Sequence, residues 1–265
     1  MEKVLSDHQI YHFGCVSFQH LNIFQTRSAA RIPQNCTGAI AMIFPYYNKN
    51  AFLGNISAYC AVADYHIVVG MQLKSICADL REKYPGYRFV PFVDASPVDE
   101  VDMCVKAGLG VRGKNSLLIT PWWGSYVFIG EILTDMPLDC VCFEEKGCIN
   151  CGRCQRACPG GRLNGGKVDK EHCASFISQK KGRLTDEEIA ILKKSGSVFG
   201  CDICQKVCPM NKNIKQEQNL FSDDIISTVT KENVESLYKQ RAFGFRGLKT
   251  LQRNLDILYP RENKE

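Results

Sequence analysis

Long apolar runs are absent from this chain of 265 residues. No stretch approaches the roughly 20 apolar residues that a membrane-spanning helix requires, and the N-terminus lacks the apolar core of a secretory signal peptide. Low-complexity linkers are also absent, and a formal net charge of +5 permits a polyanionic partner without requiring one. These absences argue against a membrane protein or a secreted protein, and they predict a cytoplasmic location.

Cysteine, in contrast, is abundant, with 15 residues. Seven of them form two runs, Cys148-x-x-Cys151-x-x-Cys154-x-x-x-Cys158-Pro159 and Cys201-x-x-Cys204-x-x-x-Cys208-Pro209, and an eighth, Cys173, lies between the runs. Runs of this spacing that close on Cys-Pro are typical of ferredoxins with two [4Fe–4S] clusters. Paired CxxC units also build zinc sites, but a zinc site does not require the Cys-Pro endings. The sequence therefore predicts two clusters and a role in electron transfer.

The crossed pattern of two-cluster ferredoxins assigns each cysteine to a cluster, because the cysteine before proline binds the cluster of the other run. One cluster is predicted to be held by Cys148, Cys151, Cys154 and Cys208, and the other by Cys158, Cys173, Cys201 and Cys204. The remaining cysteines, expected mostly to be small buried hydrophobic residues, are Cys15, Cys36, Cys60, Cys77, Cys104, Cys140 and Cys142. So many free thiols fit the reducing cytoplasm.

Local patterns predict an α+β fold, with a mixed α/β domain followed by a ferredoxin-like double-cluster module. Apolar runs predict strands over residues 39–44 and 87–93, and helical spacing predicts helices over 65–84 and 100–107. Residues 117–119 and 126–133 are expected to pair as strands, and Thr185 is expected to begin a helix. The predicted domains are an α/β domain (1–140), a cluster module (141–215) and a helical segment (216–265).

Two features of the first domain are open to more than one interpretation. The loop from Gly108 to Lys114 is rich in glycine, but it follows a helix and leads into a strand, so it matches neither a P-loop nor a dinucleotide-binding loop. Its glycines allow a large ligand to approach the backbone. Asp94 ends an apolar strand, where an aspartate commonly makes a turn or caps the next helix. A catalytic carboxyl is the other interpretation of Asp94.

Several separate motifs, in one order, resemble the epoxyqueuosine reductase family. They are Ile56-Ser57-x-Tyr59, Asp64-Tyr65-His66, Asp94-Ala-Ser-Pro97-Val98, Ala107-Gly-Leu-Gly110, Gly113-Lys-Asn115-Ser-Leu-Leu118, Gly124-Ser125-Tyr126, Gly130-Glu131-Ile132-Leu133-Thr-Asp135 and the eight cysteines. The resemblance runs from about Ile56 to Asn211, and more weakly over residues 33–47 and 241–254.

The resemblance implies a cobalamin beside the two clusters, reduction of epoxyqueuosine to queuosine in tRNA, and a donor such as ferredoxin or flavodoxin. Residues 1–140 would be the cobalamin-binding catalytic domain. Asp94 matches the family's proton donor, and a partly buried carboxyl can stay protonated near neutral pH. The cobalamin contacts that carry over are Ser57, Asp94, Leu118, Ser125, Ile129, Ile132 and Ser175.

The chain also departs from the family pattern. Val111 stands where tryptophan is usual, Ala58 where arginine is usual, and the usual Glu-Arg after Asp-x-x-Pro is replaced within residues 99–102. The chain ends at Glu265, where longer members continue into helical repeats that help to hold tRNA, so weaker tRNA binding is expected. A reductase of another small molecule and a two-cluster electron-transfer protein remain alternatives. The basic residues available for phosphate, or for a solvated helix face, are Arg241, Arg246, Lys249 and Arg253.

The cysteine pattern predicts about eight irons and eight acid-labile sulfides per chain after anaerobic reconstitution. Because Cys154 and Cys204 are assigned to different clusters, Cys154→Ser is expected to damage one cluster and Cys204→Ser the other. Iron, sulfide and zinc analysis with electron paramagnetic resonance of the reduced protein measures this. Stoichiometric zinc without sulfide would contradict the assignment.

Overall fold

The computed structural model describes residues 1–144, 147–164, 167–214, 216–217, 219–221 and 223–260. The strands are β1 (Phe13–Ser17), β2 (Gly38–Pro45), β3 (Phe89–Phe92), β4 (Val111–Arg112), β5 (Leu118–Ile119), β6 (Val127–Thr134), β7 (Leu163–Asn164) and β8 (Lys167–Val168). The helices are α1 (Glu2–Asp7), α2 (Ala58–Ala61), α3 (Tyr65–Lys83), α4 (Glu100–Lys106), α5 (Arg153–Ala157), α6 (Ala174–Gln179), α7 (Asp186–Ser195), α8 (Ile203–Lys206), α9 (Val234–Leu237) and α10 (Leu248–Leu258).

Two structural units share these elements, and each is assembled from three stretches of sequence. The first unit contains Met1–Pro45, Tyr65–Gly113 and Leu117–Ile149, and the second contains Tyr46–Asp64, Lys114–Ser116 and Asn150–Glu265. The first unit combines a sheet with helices, and the second contains mainly short helices, so the α+β class is confirmed. The three-domain division stays a prediction from the sequence.

A four-stranded antiparallel sheet in the order β1-β2-β6-β3 organises the first unit. The central strands β2 and β6 are apolar and mostly buried, as expected for strands covered on both faces. One face packs against α4 through Ala41, Leu133 and Met103. On the other face, Gly130 lies against Val69 and Leu73 of α3. The strands predicted at 39–44 and 87–93 and the helices at 65–84 and 100–107 are confirmed, with ends shifted by at most two residues.

The predicted pairing of residues 117–119 with 126–133 is wrong. β5 pairs with β4, and β6 pairs with β2 and β3. Gly110 accounts for the difference, because a Cβ at this position would lie only 2.5 Å from the carbonyl oxygen of Ile119. Glycine therefore lets the preceding loop lie directly against β5. The edge strand β1 has no counterpart in the sequence prediction.

The second unit packs short helices around a small core. Ile177 of α6 and Leu192 of α7 belong to one buried cluster. Thr185 begins α7 with a capping box, in which its side chain and that of Glu188 each bind the other's backbone, as the acidic first turn predicted. Asn254 of α10 is fully buried.

No helix within the described ranges has both the length and the apolar character that crossing a bilayer would demand.

Gly130→Ala is expected to destabilise the protein by about 1–3 kcal/mol through overpacking. The added Cβ would lie 2.8 Å from a ring carbon of Phe44 and 3.1 Å from methyl carbons of Leu73 and Val69. Gly70→Ala in α3 is the matched control, because its Cβ would meet nothing closer than 3.9 Å and alanine favours the helix. Thermal unfolding measures both, and a Gly130→Ala variant as stable as the wild type would contradict this packing.

Candidate cluster and proton-transfer sites

The second predicted ligand set comes together in the second unit. The pKa of the Cys201 thiol is raised to about 11, chiefly by burial, and the nearby thiols of Cys173 and Cys158 contribute in the same direction. Burial likewise raises the pKa of Cys204 to about 12, with Cys201 and Cys173 as neighbours. These mutual effects require the four side chains to be close in space. The structure thus brings together Cys158, Cys173, Cys201 and Cys204, which lie far apart in sequence.

The first predicted set takes three of its members from the other cysteine run. Cys154 lies in α5, which packs against α8, the helix that carries Cys204. Cys148 belongs to the first unit and Cys208 to the second, so this ligand set stays a prediction from the motif. Among the described residues, no three His, Cys, Asp or Glu side chains could hold a single metal ion. A four-iron cluster spaces its thiolates more widely than one zinc ion does.

Asp202 connects the cluster segment to the segment that contains Ser57. Its carboxylate is buried and accepts hydrogen bonds from the Ser57 hydroxyl and from the Ala58 N–H, the latter at 2.7 Å. Burial raises the pKa of Asp202, while these two donors act in the opposite direction. The Asn115 side chain adds a hydrogen bond to Cys204. The sequence prediction gave no role to either residue, since Asp202 is a variable position within the second cysteine run and Asn115 carries no assigned role in its family motif.

The predicted cobalamin contacts differ in how they can reach a ligand. The side chains of Ser57, Leu118, Ser125 and Ile132 are buried, whereas Ile129 and Ser175 are only half-buried. Ile129 and Ile132 lie on opposite faces of β6 because successive strand side chains alternate. The buried members can therefore offer backbone groups, and Ile129 and Ser175 can offer side chains. These assignments stay predictions.

Asp94 forms a pair with His66 just beyond β3. The His66 Nε2 and Asp94 Oδ2 atoms are 3.1 Å apart, and the Asp94 side chain is 60% exposed. The hydrogen bond from His66 lowers the pKa of Asp94, and Tyr65 adds a second hydrogen bond in the same direction. The expectation that burial keeps Asp94 protonated is therefore wrong, because these donors outweigh the burial.

The structure also excludes the alternative that Asp94 caps the next helix. Asp99, not Asp94, caps α4 by accepting a hydrogen bond from the Asp102 N–H. Asp94 instead has a φ of +62°, a left-handed conformation that is uncommon outside glycine. Tyr65 stacks on both His66 and Phe128, so the His66 ring is held in place. His66 belongs to the Asp64-Tyr65-His66 motif, but nothing in the sequence placed it beside Asp94.

Two of the four basic residues considered for phosphate binding are already engaged in the second unit. Arg241 is only 2% exposed and pairs with Asp224. Arg253 donates to the carbonyl oxygens of Lys180 and Gly182, each at 2.7 Å. The prediction that Arg241 contacts tRNA phosphate is therefore wrong, since its guanidinium is buried within the unit.

Two family models match the chain. Residues 28–95 match "Epoxyqueuosine reductase QueG, DUF1730", and residues 147–211 match the "4Fe-4S double cluster binding domain". The second match shows that this module binds two [4Fe–4S] clusters, with the predicted cysteines inside the matched range.

Curated relatives and solved structures extend the similarity. An epoxyqueuosine reductase of Cyclobacterium marinum is 33% identical over 245 residues, covering 86% of this chain and 78% of the relative. That of Bacillus anthracis is 33% identical over 234 residues, covering 82% of this chain and 61% of the relative. The chain thus spans less than two thirds of the length of several such relatives. The Streptococcus thermophilus epoxyqueuosine reductase structure has a TM-score of 0.81 at 24% identity, covering 97% of this chain and 79% of that one.

Two further structures share the fold. An epoxyqueuosine reductase bound to an epoxyqueuosine-modified tRNA stem loop has a TM-score of 0.79 at 23% identity, covering 97% of this chain and 80% of that one. A reductive dehalogenase described as B12-dependent has a TM-score of 0.53 at 17% identity, covering 97% of this chain and 35% of that one. On the identity and coverage of its relatives, the chain belongs to the epoxyqueuosine reductase family.

Proposed function

We propose that this protein is a cobalamin- and iron–sulfur-dependent reductase that converts epoxyqueuosine to queuosine in tRNA. The observation that carries the proposal is the His66–Asp94 pair at the end of β3. Asp94 occupies the position that the family resemblance assigns to the proton donor, in a chain that also carries a double-cluster domain. A protein that only transfers electrons would not need this proton-transfer pair.

The reaction accounts for both sets of residues. Converting an epoxide to an alkene breaks two C–O bonds and releases water, so it consumes two electrons and two protons. The clusters deliver electrons one at a time. Cobalamin, when bound, supplies a reduced cobalt centre for the substrate, and its proposed contacts are Ser57, Asp94, Leu118, Ser125, Ile129, Ile132 and Ser175. The fold shared with a B12-dependent dehalogenase supports this cofactor.

In this proposal one of the two protons comes from a pair of residues, and the second comes from solvent. Asp94 is ionised beside His66, because the His66 hydrogen bond lowers its pKa. A protonated His66 can therefore pass a proton through the Asp94 carboxylate to the oxygen that leaves. The Tyr65 ring keeps His66 stacked in position. General acid catalysis of this kind typically contributes 10²–10⁴-fold to a rate, or about 3–5 kcal/mol.

The partners follow from the same chemistry. The tRNA stem loop bound by a relative of the same fold supports tRNA as substrate, and the clusters require a low-potential donor such as ferredoxin or flavodoxin. We place the protein in the cytoplasm, where tRNA is found. Lys249 is exposed and Arg246 is half-buried, so these two remain candidates for phosphate contacts.

Asp94→Asn is expected to keep both clusters and to lower single-turnover reduction of epoxyqueuosine in tRNA by about a hundredfold or more. The amide cannot relay a proton from His66. His66→Gln is expected to lower the rate and to change its pH dependence, because glutamine can donate a hydrogen bond to Asp94 but cannot carry the proton that is to be passed on. Quench-flow with mass analysis of the released nucleoside measures both rates.

Asp79→Asn is the matched control for these variants. Asp79 forms a comparable pair with His8, at 2.6 Å, on a different part of the first unit. Replacing it removes the same type of contact without touching Asp94, so turnover should remain at the wild-type level. Near-normal turnover by a folded, fully loaded Asp94→Asn variant would refute the catalytic role.

A further inference from the structure

Asn254 of α10 is a polar residue with no exposed surface. It shares the buried face of its helix with Leu251 and Leu255, and an amide in such surroundings is costly unless it is hydrogen-bonded. Its nitrogen donates to the carbonyl oxygen of Ser178 at 2.7 Å and to that of Val198 at 2.8 Å. One side chain thus joins two segments that lie apart in the sequence.

Arg253 completes the bonding of this amide. Its Nε and Nη2 atoms donate to the side-chain oxygen of Asn254 at 3.1 Å and 2.7 Å, so both donors and both acceptor positions of the amide are in use. Its Nη1 atom donates to the carbonyl oxygens of Lys180 and Gly182, each at 2.7 Å. Two consecutive side chains of α10 therefore hold four backbone carbonyl groups.

The two side chains cap the C-terminal end of α6. The last turn of a helix leaves carbonyl oxygens without partners inside the helix, and Ser178 and Lys180 lie at this end of α6. Asn254 and Arg253 supply donors to both. The opposite end of α6 begins at Cys173, a predicted cluster ligand, and the helix has only six residues. Holding one end of so short a helix therefore also holds Cys173.

The other segment that the amide holds leads into the second cysteine run. Val198 lies three residues before Cys201. Between them, the Gly200 N–H donates to the Ser178 hydroxyl at 2.9 Å. Ser178 has no exposed surface, so water does not compete for this contact. The helix α6 and the segment before the second run are therefore joined twice, once through the amide on α10 and once directly.

We propose that Asn254 and Arg253 are positioning residues for the second cluster, whose predicted ligands are Cys158, Cys173, Cys201 and Cys204. They set the separation between Cys173 and Cys201 from a helix that carries no cysteine. Replacing residues that orient metal ligands without touching the metal typically costs about 10–100-fold in affinity or activity. The cluster that depends on Cys173 and Cys201 is therefore the one that should weaken when this network is broken.

This role differs from phosphate binding, which the charge of Arg253 suggests. Each of its three guanidinium nitrogens donates to an oxygen within the second unit. Arg253→Lys keeps the positive charge but loses the planar fork that reaches several oxygens at once. This variant is therefore expected to lose the second cluster faster than the wild type, although its charge is unchanged.

Asn254→Asp tests the network with almost no change in side-chain shape. The new oxygen cannot donate as the amide nitrogen does to the two carbonyl groups, whereas the acceptor for Arg253 is kept. The anaerobically reconstituted protein is challenged with a chelator of ferrous iron, and iron release is followed by absorbance. The second cluster is expected to be lost about tenfold faster or more than in the wild type, with the rate for the first cluster unchanged.

Electron paramagnetic resonance of the reduced protein identifies the cluster that remains. Cys204→Ser is expected to retain only the first cluster, so its spectrum is the reference. After partial chelation, Asn254→Asp should show this spectrum alone, while the wild type still shows both clusters. A residue that only stabilises the fold would not favour one cluster over the other.

Asn233→Asp is the matched control. Asn233 also lies in the second unit and also bonds to backbone, accepting from the Thr230 N–H at 2.7 Å and donating to the Thr228 carbonyl oxygen at 3.3 Å. Neither partner lies in a segment that carries a cysteine. The same chemical change at this position should leave the release rates of both clusters at their wild-type values.

Ser178→Ala provides a second, milder test, which decides the matter if Asn254→Asp does not fold. It removes the acceptor for the Gly200 N–H and leaves α10 intact, so faster loss of the second cluster alone is expected here too. Unchanged release rates, or equal acceleration for both clusters, would overturn the proposal. These measurements use no substrate, so they are independent of whether the protein reduces epoxyqueuosine.

Discussion

The antiparallel pairing of β6 with β2 and β3 is the interaction on which the first unit depends. It places the strand between two partners, so β6 must bury both of its faces. Alternation along the strand then directs Gly130 toward α3 and Glu131 toward α4. The same ladder ends β3 at Phe92, opposite Glu131, and Asp94 follows two residues later. The position of the loop that carries Asp94 is therefore a consequence of sheet register.

The second unit depends on a different constraint, which is the convergence of cysteines from distant stretches of chain. Asp202 lies between two of these cysteines and uses its buried carboxylate to hold Ser57 and Ala58. Asn115 reaches Cys204 from another stretch. These polar contacts are buried, so removing one partner leaves the other without a hydrogen bond, which typically costs about 1–3 kcal/mol. The cluster segment is thus bound to its surroundings by side chains other than those of the cysteines.

Much of this arrangement could be predicted from the sequence because its determinants are local. The spacing of Cys148 to Cys158 indicates a cluster by itself, and the apolar run at residues 39–44 indicates a buried strand. The pairing of β5 with β4 could not be predicted, since it depends on how closely Gly110 approaches Ile119. Within the apolar run at residues 126–133, the sequence does not show whether Glu131 is buried or exposed, and the structure shows that it is buried.

The site shows the same division between local and long-range information. The family resemblance singled out Asp94, but the lowered pKa of its carboxyl depends on His66, 28 residues earlier in the chain. Arg241 looked like a phosphate ligand because its charge is visible in the sequence, whereas its burial against Asp224 is not. Long-range packing therefore decides which charged side chains are available for chemistry.

The most direct test is single-turnover reduction of epoxyqueuosine by the anaerobic, chemically reduced protein loaded with clusters and cobalamin. The substrate is given both in a tRNA stem loop and as the free nucleoside, and the products are identified by mass. The account predicts queuosine, one oxygen lighter than the substrate, from the tRNA stem loop. An untouched epoxide in both forms, with clusters and cobalamin fully loaded, would contradict it and would favour reduction of a different small molecule.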